Sequence, residues 1–259
     1  MNRKLTRIAV LVSVGRHPVS GVARYSRNDA AALEMGRTLS RQHGAWLDTL
    51  HAGDPANPAL EDYLALGAER IEVLACDDAS DAVAALATRL QGYDLVLTGT
   101  CAEGAFDSGM LPYQLADVLG YPLVGAAVEA SLAQGRISVR QFLPKGVRRR
   151  VETVLPAVVA VHPLASVTPR YAYARQRAGA IDVTHVKPPV DADAAQWSVT
   201  ATQRKPVRLA AQEKRSGHAR MLSATTTESR GGSVVIEGTS VEKAQVMLGY
   251  LREHQLIDY

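Results

Sequence analysis

The first two thirds of the chain alternate short apolar runs with segments of helical periodicity. Within residues 28–43, Ala32, Met35 and Leu39 recur at the spacing of one face of an amphipathic helix. Strands are predicted at 8–14, 45–51, 70–75 and 95–98, and helices at 28–43, 58–66, 80–90 (capped by Ser80) and from near Ser108 to Gly120. Such alternation is typical of β-α-β units, so it predicts a parallel sheet with helices on both faces.

The pattern changes after Pro122. Four strand-like segments follow with few helical signals between them, at residues 124–132, 136–142, 147–155 and 157–162. Turn signals at Gln134-Gly135 and Pro144–Gly146 separate the first three segments. This part therefore predicts an antiparallel excursion on the parallel sheet, and its last, continuously apolar segment predicts a buried strand that returns to the core.

The last quarter of the chain has weaker periodicity. Between about residues 186 and 231 it is rich in proline, basic residues, serine and threonine, which predicts an extended arm. A final strand and an amphipathic helix capped by Thr239 or Ser240 are predicted to follow. We divide the chain into an α/β nucleotide-binding core, residues 1–187, and an arm with a terminal helix, residues 188–259, that docks on a partner subunit.

Composition and charge limit the classes of function. The 259 residues carry a net charge of +3, with basic clusters at 145–150, 170–177 and 204–220 that mark solvated arms or a surface for an acidic protein. Few aromatic residues and no nucleic-acid motif accompany these clusters, so we predict no nucleic-acid partner. The two cysteines form no C-x-x-C pair, and no apolar run reaches the ~20 residues of a membrane span. We expect a soluble cytoplasmic protein.

Residues 94–122 hold the most informative local pattern. A predicted buried strand leads through a loop of small and acidic residues into a predicted helix. In open α/β sheets this arrangement binds phosphate, because the first amide groups of a helix lack intrahelical partners. Ser108 either caps this helix or donates its hydroxyl to phosphate as well, and the residues leave both possibilities open. The pattern indicates an adenine-nucleotide site.

Six segments resemble the beta subunit of electron transfer flavoproteins, in the same order and over almost the whole chain. They are VLVSVGRHP, SRNDAAALEMGRTL, LGAERIEVL, LVLTGTCAEGAFDSGMLPYQLADVLGYPLVG, LPAVVAVHPLASVTPRYAYAR and VIEGTSVEKAQVMLGYLREHQLI. The chain is thereby identified as a divergent, bacterial-type member of this family. The resemblance implies a parallel-sheet adenine-nucleotide α-hydrolase-like core, here with the antiparallel excursion, the C-terminal arm and the terminal helix.

The resemblance also implies a function. In the family this subunit holds AMP and pairs with an alpha subunit that carries the redox FAD. The pair accepts electrons from flavin-dependent dehydrogenases and passes them to a membrane quinone oxidoreductase. The chain is then an electron-carrier subunit with no catalytic residues of its own. Its two separated cysteines agree with this, since they can form neither a dithiol pair nor a cluster site.

The family's nucleotide contacts can be carried over to positions of this chain. They fall at the end of the first strand, in the turn before the first helix, after the second strand and in the phosphate loop: Ser13, Val14, Asn28, Asp29, Ala52, Gly53, Gly99, Cys101, Ala102, Asp107, Ser108, Gly109, Met110 and Leu111. We expect Cys101 to be a small buried thiol that lines the pocket. The loop departs from the family pattern, because it lacks the usual glutamines and is about one residue shorter.

A second departure concerns the segment that docks on the dehydrogenase. In the family, an exposed leucine follows the Pro-Arg-Tyr motif, which is Pro169–Tyr171 here. This chain has no leucine at that place, and Tyr173 could replace it. Aromatic and arginine side chains are enriched at binding hot spots, so we predict partner contacts by Arg170, Tyr171, Tyr173 and Arg175. The alternative is that Tyr173 packs inward.

Three other functions stay open. A bifurcating-type beta subunit would hold a second FAD in place of AMP. A stand-alone adenine-nucleotide-binding regulatory module is the second, although the arm and terminal helix argue against it. A hydrolase built on Cys101 is the third, but no motif ties a histidine to it. His17, His51 and His162 lack metal-ligand spacing, so no metal site is predicted.

Overall fold

A computed structural model describes residues 4–17, 19–77, 80–101, 109–192, 194–198, 216–218, 221, 237–253 and 257. The chain divides into two compact units, Met1–Trp197 and Ser198–Tyr259. The first unit contains every strand described below and the first five helices.

The first unit is built on a nine-stranded mixed sheet. The strands along the chain are β1 Arg7–Leu11, β2 Val14–Arg16, β3 Ala23–Tyr25, β4 Trp46–Gly53, β5 Arg70–Ala75, β6 Leu95–Gly99, β7 Leu123–Ala133, β8 Arg136–Phe142, β9 Arg148–Val154, β10 Ala157–Val161 and β11 Ala180–His185. Their order in the sheet is β11-β5-β4-β1-β6-β10-β7-β8-β9, and β2 and β3 form a separate hairpin. All neighbours from β11 to β7 pair in parallel, and β8 and β9 extend the sheet antiparallel. This confirms the predicted α/β class and the antiparallel excursion.

Helices cover both faces of the parallel part. They are α1 Arg27–His43, α2 Ala59–Leu66, α3 Ala82–Leu90, α4 Leu111–Leu119 and α5 Tyr173–Ala178. One hydrophobic cluster contains side chains of α1 and α2, and a second contains side chains of α3 and α4. Strand β10 is fully buried, with Val158 in one cluster and Val159 in the other, because successive side chains point to opposite faces of a sheet. The predicted return of this segment to the core is confirmed.

Two helix starts differ from the sequence-based prediction. Helix α3 begins at Ala82, because the side chain of Asp81 accepts hydrogen bonds from two amides of the first turn, while Ser80 pairs with Val190 in an isolated bridge. Helix α4 begins at Leu111 with Met110 at the N-cap position, later than the start predicted near Ser108, and Ser108 itself lies outside the described residues.

Other boundaries also changed. The strand predicted at 8–14 ends at Leu11, and Val14 already belongs to the hairpin with β3. Neither α5 nor β11 was predicted; β11 is a half-exposed edge strand without clear alternation. The amide of Asp81 donates to Pro189 O and Ser80 bridges Val190, so the first unit continues past the predicted boundary at residue 187.

The second unit contains helix α6, Ser240–Glu253. Thr239 Oγ1 accepts a hydrogen bond from the amide of Glu242, and the Glu242 carboxylate accepts one from the amide of Thr239. This reciprocal capping box confirms Thr239 as the cap. The apolar residues of the strand predicted before it, 234–236, lie outside the described residues.

Candidate functional site

A cavity of about 210 Å³ lies at the carboxyl ends of β1, β4 and β6, beside the start of α4. The carboxyl ends of parallel strands are where open α/β sheets bind ligands. Six of the residues named from the sequence line this cavity, although they are far apart in the chain: Ser13, Asp29, Ala52, Gly99, Cys101 and Leu111. The chain folds these positions into one place.

The other predicted positions lie around the cavity or outside the described residues. Val14 opens β2, Gly53 ends β4, and Gly109 and Met110 precede α4. Gly109 has a φ of 76°, and a Cβ there would lie 2.9 Å from the carbonyl oxygen of Thr100, so the backbone at this position requires glycine. Residues Ala102, Asp107 and Ser108 lie outside the described residues.

The carboxylate of Asp29 holds the site together. Asp29 is buried in the first turn of α1, whose N-cap residue is Ser26. Its Oδ2 accepts from the amide of Ser13 at 2.8 Å and from the Ser13 hydroxyl, and its Oδ1 accepts from the amide of Gly99 at 2.9 Å. One carboxylate therefore joins the segment after β1 to the end of β6. Hydrogen bonds to a charged group are stronger than neutral ones, which fixes these two backbone segments relative to each other.

Gly99 permits this close approach. A Cβ at this position would lie 2.3 Å from Asp29 Oδ1 and 2.6 Å from Asn28 Cβ. Both distances are shorter than any ordinary contact of a Cβ atom. The end of β6 can pack against the first turn of α1 only because residue 99 has no side chain.

Asn28 ties the start of the following loop to the same helix. Its Nδ2 donates to the carbonyl oxygen of Cys101 at 2.7 Å and lies 3.2 Å from the Cys101 Sγ. Asn28 is buried, whereas Cys101 is exposed. The expectation that Cys101 is a buried thiol is therefore wrong. Cys101 is a cavity-lining residue that solvent reaches.

A buried tyrosine supports Ser13 from behind. The hydroxyl of Tyr63, from α2, donates to the carbonyl oxygen of Ser13 at 2.6 Å and accepts from the amide of Ser26 at 2.9 Å. Both backbone groups of Ser13 are thus fixed, one by Tyr63 and one by Asp29. No local sequence signal connects Tyr63 with the site, and the sequence analysis did not name it.

His51, near the end of β4, is a site residue that the sequence analysis considered only as a metal ligand. It lines the cavity and is 5% exposed. Its Nδ1 lies 2.8 Å from the carbonyl oxygen of Val12. Burial lowers the pKa of His51, and the bond to Val12 and the nearby Asp54 carboxylate only partly oppose this. Among the described residues, its Nε2 has no hydrogen-bond partner.

The first turn of α4 offers fewer amide donors than its place in the sheet suggests. Pro112 has no amide hydrogen, and the amides of Tyr113 and Gln114 donate to the carbonyl oxygen of Met110. A phosphate group at this helix terminus would depend on the amides that precede Pro112. The predicted phosphate role of Ser108 remains a prediction.

The four predicted partner-binding residues lie together on and before α5. Tyr171 and Tyr173 are 54% and 66% exposed, so the alternative that Tyr173 packs inward does not describe this chain. The Tyr171 hydroxyl donates to Asp62 at 3.0 Å, and partial desolvation together with that bond raises the pKa of Tyr171. Arg175 donates to the carbonyl oxygen of Arg170 at 3.1 Å.

The antiparallel extension carries the basic cluster predicted around residues 145–150. Arg148, Arg149 and Arg150 are exposed on β9. The guanidinium of Arg148 lies 4.3 Å from the ring centre of Phe142, whose other contact is a stacked His162 at 4.3 Å. Partial burial and the charge of Arg148 lower the pKa of His162. This surface is separate from the cavity residues.

Comparison with known proteins gives concordant results. A family model described as "Electron transfer flavoprotein domain" matches residues 20–191. The chain is 34% identical to the electron transfer flavoprotein subunit beta of Chromohalobacter salexigens. The alignment extends over 257 residues and covers 96% of this chain and 95% of that relative. Within the described ranges, no helix has the length and apolarity to cross a bilayer, and no three acidic, histidine or cysteine side chains meet in a metal-binding group.

Proposed function

This chain belongs to the electron transfer flavoprotein family, in its beta-subunit branch, and from that premise we propose that it forms a heterodimer with an alpha subunit that carries FAD. In this proposal the pair is a soluble cytoplasmic carrier that moves electrons from flavin-dependent dehydrogenases to a quinone oxidoreductase. The chain itself holds a structural AMP and has no catalytic residue.

The observation that supports the AMP site best is the buried polar framework around the cavity. Asp29, Ser13 and Gly99 form a rigid backbone cradle, and the walls include apolar side chains such as Leu11, Leu50 and Leu86. Apolar walls with a few placed polar groups are typical of sites for a flat heterocyclic base. The unpartnered Nε2 of His51 adds a polar contact for the same ligand. The residues present therefore fit an adenine nucleotide.

Each group has a task in this proposal. The carboxyl ends of β1 and β4 would hold the base and ribose, while the loop before α4 would face the phosphate. FAD on the alpha subunit supplies the electron-accepting chemistry when bound. This chain's residues position the nucleotide and the partner surface and keep solvent from one side of the base.

A second FAD in place of AMP is the competing occupant. The cavity measures about 210 Å³, below the roughly 300–1,000 Å³ of sites that enclose drug-sized ligands. A cavity of this size can enclose a base with part of its ribose, which AMP and FAD share, so the bound-cofactor measurement has to separate the two occupants.

Measuring the bound cofactors tests this proposal. The chain is coexpressed with its alpha subunit, the complex is purified without added nucleotide, and the denatured supernatant is separated by chromatography. We expect one FAD and one AMP per heterodimer. Two FAD molecules would show the bifurcating type, and a complex that holds flavin but no adenine mononucleotide, even after incubation with AMP, would exclude the AMP site.

The second unit supports docking of residues 188–259 on the alpha subunit. Helix α6 has no buried residue among those described, and it exposes the apolar side chains of Val241, Val246 and Met247. A segment with exposed apolar side chains gains stability from a partner surface. We expect limited proteolysis to cleave the isolated chain within its last quarter and the alpha subunit to protect it. Equal cleavage rates with and without that subunit would contradict the docking.

The segment around α5 supports the dehydrogenase contact. Tyr173 and Arg175 lie on one short helix, with the Tyr173 ring exposed and without a described hydrogen bond. We propose that Tyr173 is the anchor where the family has a leucine.

A further inference from the structure

The His51 ring has a defined protonation state. Its Nδ1 faces the carbonyl oxygen of Val12, which can only accept a hydrogen bond, so Nδ1 carries the hydrogen. The charge of Asp54, which follows β4, acts on the ring, and the Asp29 carboxylate belongs to a residue that lines the same cavity. Burial outweighs the effect of Asp54 and keeps the ring neutral near pH 7. The other ring nitrogen, Nε2, is then a hydrogen-bond acceptor and cannot donate.

Nε2 is a buried hydrogen-bond acceptor of a residue that lines the cavity, where a ligand could satisfy it. His51 is 5% exposed and lines the cavity, and Nε2 has no partner among the residues that the structure describes. Leaving a buried acceptor unsatisfied costs free energy, so native proteins rarely do so without a functional reason. Gly53 lies against the ring, since a Cβ there would lie 3.0 Å from Nε2, so a larger residue at this position would crowd the nitrogen.

We propose that Nε2 of His51 accepts a hydrogen bond from an amino or hydroxyl group of the bound nucleotide and thereby sets its orientation and selectivity. This inference rests on the nucleotide site of the proposed function. Phosphate oxygens are hydrogen-bond acceptors and cannot donate to Nε2, so the phosphate group does not bind at this end of the cavity. The base amino group and the ribose hydroxyls are the donors of an adenine nucleotide, and one of them meets His51.

The selectivity follows from the same argument. A nucleotide without the donor would leave Nε2 unsatisfied inside the complex, where water is excluded. A site that forms a hydrogen bond to a group of its ligand discriminates strongly against analogues that lack this group. An apolar pocket discriminates less strongly between ligands of slightly different shape. His51 is therefore a specificity-determining residue, and it acts by contact with the ligand.

Two substitutions separate the two ring nitrogens. In His51→Asn, the side-chain amide can still donate to Val12 O but does not reach the position of Nε2. In His51→Gln, the longer side chain brings an amide oxygen to that position and restores an acceptor. His43→Asn is the matched control, since His43 is the last residue of α1 and does not line the cavity.

The experiment is isothermal titration of the nucleotide-free heterodimer with AMP, purine riboside 5′-monophosphate, 2′-deoxy-AMP and 3′-deoxy-AMP. For the wild type, we expect one analogue to bind about 5- to 30-fold more weakly than AMP. His51→Asn should weaken AMP by the same factor and lose the discrimination between AMP and that analogue. His51→Gln should recover most of the affinity, and His43→Asn should bind like the wild type.

The outcomes that overturn the inference are distinct from failure of the nucleotide site. If the wild-type complex binds no adenine nucleotide, both proposals fail. If AMP binds the wild type and His51→Asn equally well, only the role of His51 fails. If His51→Asn weakens the binding of AMP and of all three analogues by the same factor, His51 has only a structural role. The melting temperature of the nucleotide-free variant would then be lowered as well.

Discussion

The cavity at the ends of β1, β4 and β6 and the surface of α5, the two proposed sites, are built in different ways. At the cavity, Asp29, Asn28 and His51 are buried, and each bonds to backbone from a distant part of the chain. On α5 no residue is buried, and Tyr173 is 66% exposed. The cavity groups hold distant parts of the fold together at the place where we propose that a ligand binds, whereas the α5 groups are exposed and could contact a partner without a change in the fold. Substitutions should separate these two kinds of site.

Gly99→Ala tests the cavity side most severely. A Cβ at this position would overlap Asp29 Oδ1 and Asn28 Cβ, both buried and bonded, so neither can move freely. We expect a loss of about 3 kcal/mol or more in the free energy of unfolding, together with loss of AMP. Urea unfolding of the heterodimer measures it. The control is Gly125→Ala, where the nearest atom is 3.7 Å from the added carbon. Equal stability of both variants would refute the close packing at Gly99.

Asp29→Asn should have the next largest effect. In the variant, an NH2 group replaces one carboxylate oxygen. In one orientation it faces the amide of Ser13 and in the other the amide of Gly99, so in either case one hydrogen bond becomes a contact between two donors. We expect a loss of about 2–3 kcal/mol and weaker AMP binding. Asp54→Asn, an exposed carboxylate after β4, is the control and should change stability by less than about 0.5 kcal/mol. A stable Asp29→Asn variant would mean that the site does not depend on this carboxylate.

The pH dependence of stability tests His51 itself. Its pKa in the folded chain is below 6.5, the value for an unfolded histidine, so the unfolded state binds the proton first as the pH falls. The contribution of neutral His51 is complete above pH 6.5 and decreases below it, by at most about 1.4 kcal/mol per pH unit.

His51→Asn removes this titrating group. We expect the loss of stability between pH 7 and pH 5 to be smaller in the variant than in the wild type, because the variant lacks a group that binds a proton on unfolding. His162→Asn serves as the comparison, because the pKa of that partly exposed histidine is also lowered. Parallel pH profiles of wild type and His51→Asn would show that the ring is not held neutral by burial.

Tyr173→Ala should leave stability unchanged and affect only the partner. The side chain is exposed, so the free energy of unfolding should change by less than about 0.5 kcal/mol. If Tyr173 anchors the dehydrogenase, the second-order rate constant of electron transfer from it should fall about tenfold. Trp46→Ala, an exposed aromatic residue at the start of β4, should change neither quantity. An unchanged rate constant for Tyr173→Ala would remove the anchor.

The sequence predicted the elements that are fixed by local pattern. Strands β5 and β8 have the predicted bounds: the buried residues of β8 alternate with more exposed ones, and β5 is a short run with buried Ile71, Val73 and Leu74. Helices α1 and α2 end at Gly44 and Gly67, whose left-handed conformation suits glycine. Edge strand β11 was missed, since its half-exposed residues carry no strong period.

The residues of the candidate site also divide into those that the sequence predicted and those that it did not. Asp29, Gly99 and Leu111 were named because they fall at positions that resemble a known nucleotide site, and the structure brings them together at one cavity. The roles of His51 and Tyr63 were not foreseen. His51 depends on Val12 and Tyr63 on Ser13, both of which are distant in the chain.

By itself, the sequence determined the family, the α/β class, the parallel sheet with its antiparallel excursion and six of the residues that line the cavity. These depend on periodicity, on turn residues and on motifs, which are local properties of the chain. Only the tertiary structure decided that Cys101 is exposed, that Asp81 and not Ser80 caps α3, and that His51 is buried beside the cavity with its Nδ1 at Val12 O. Burial and hydrogen bonding between distant residues set these properties, and neither exists until the strands are assembled.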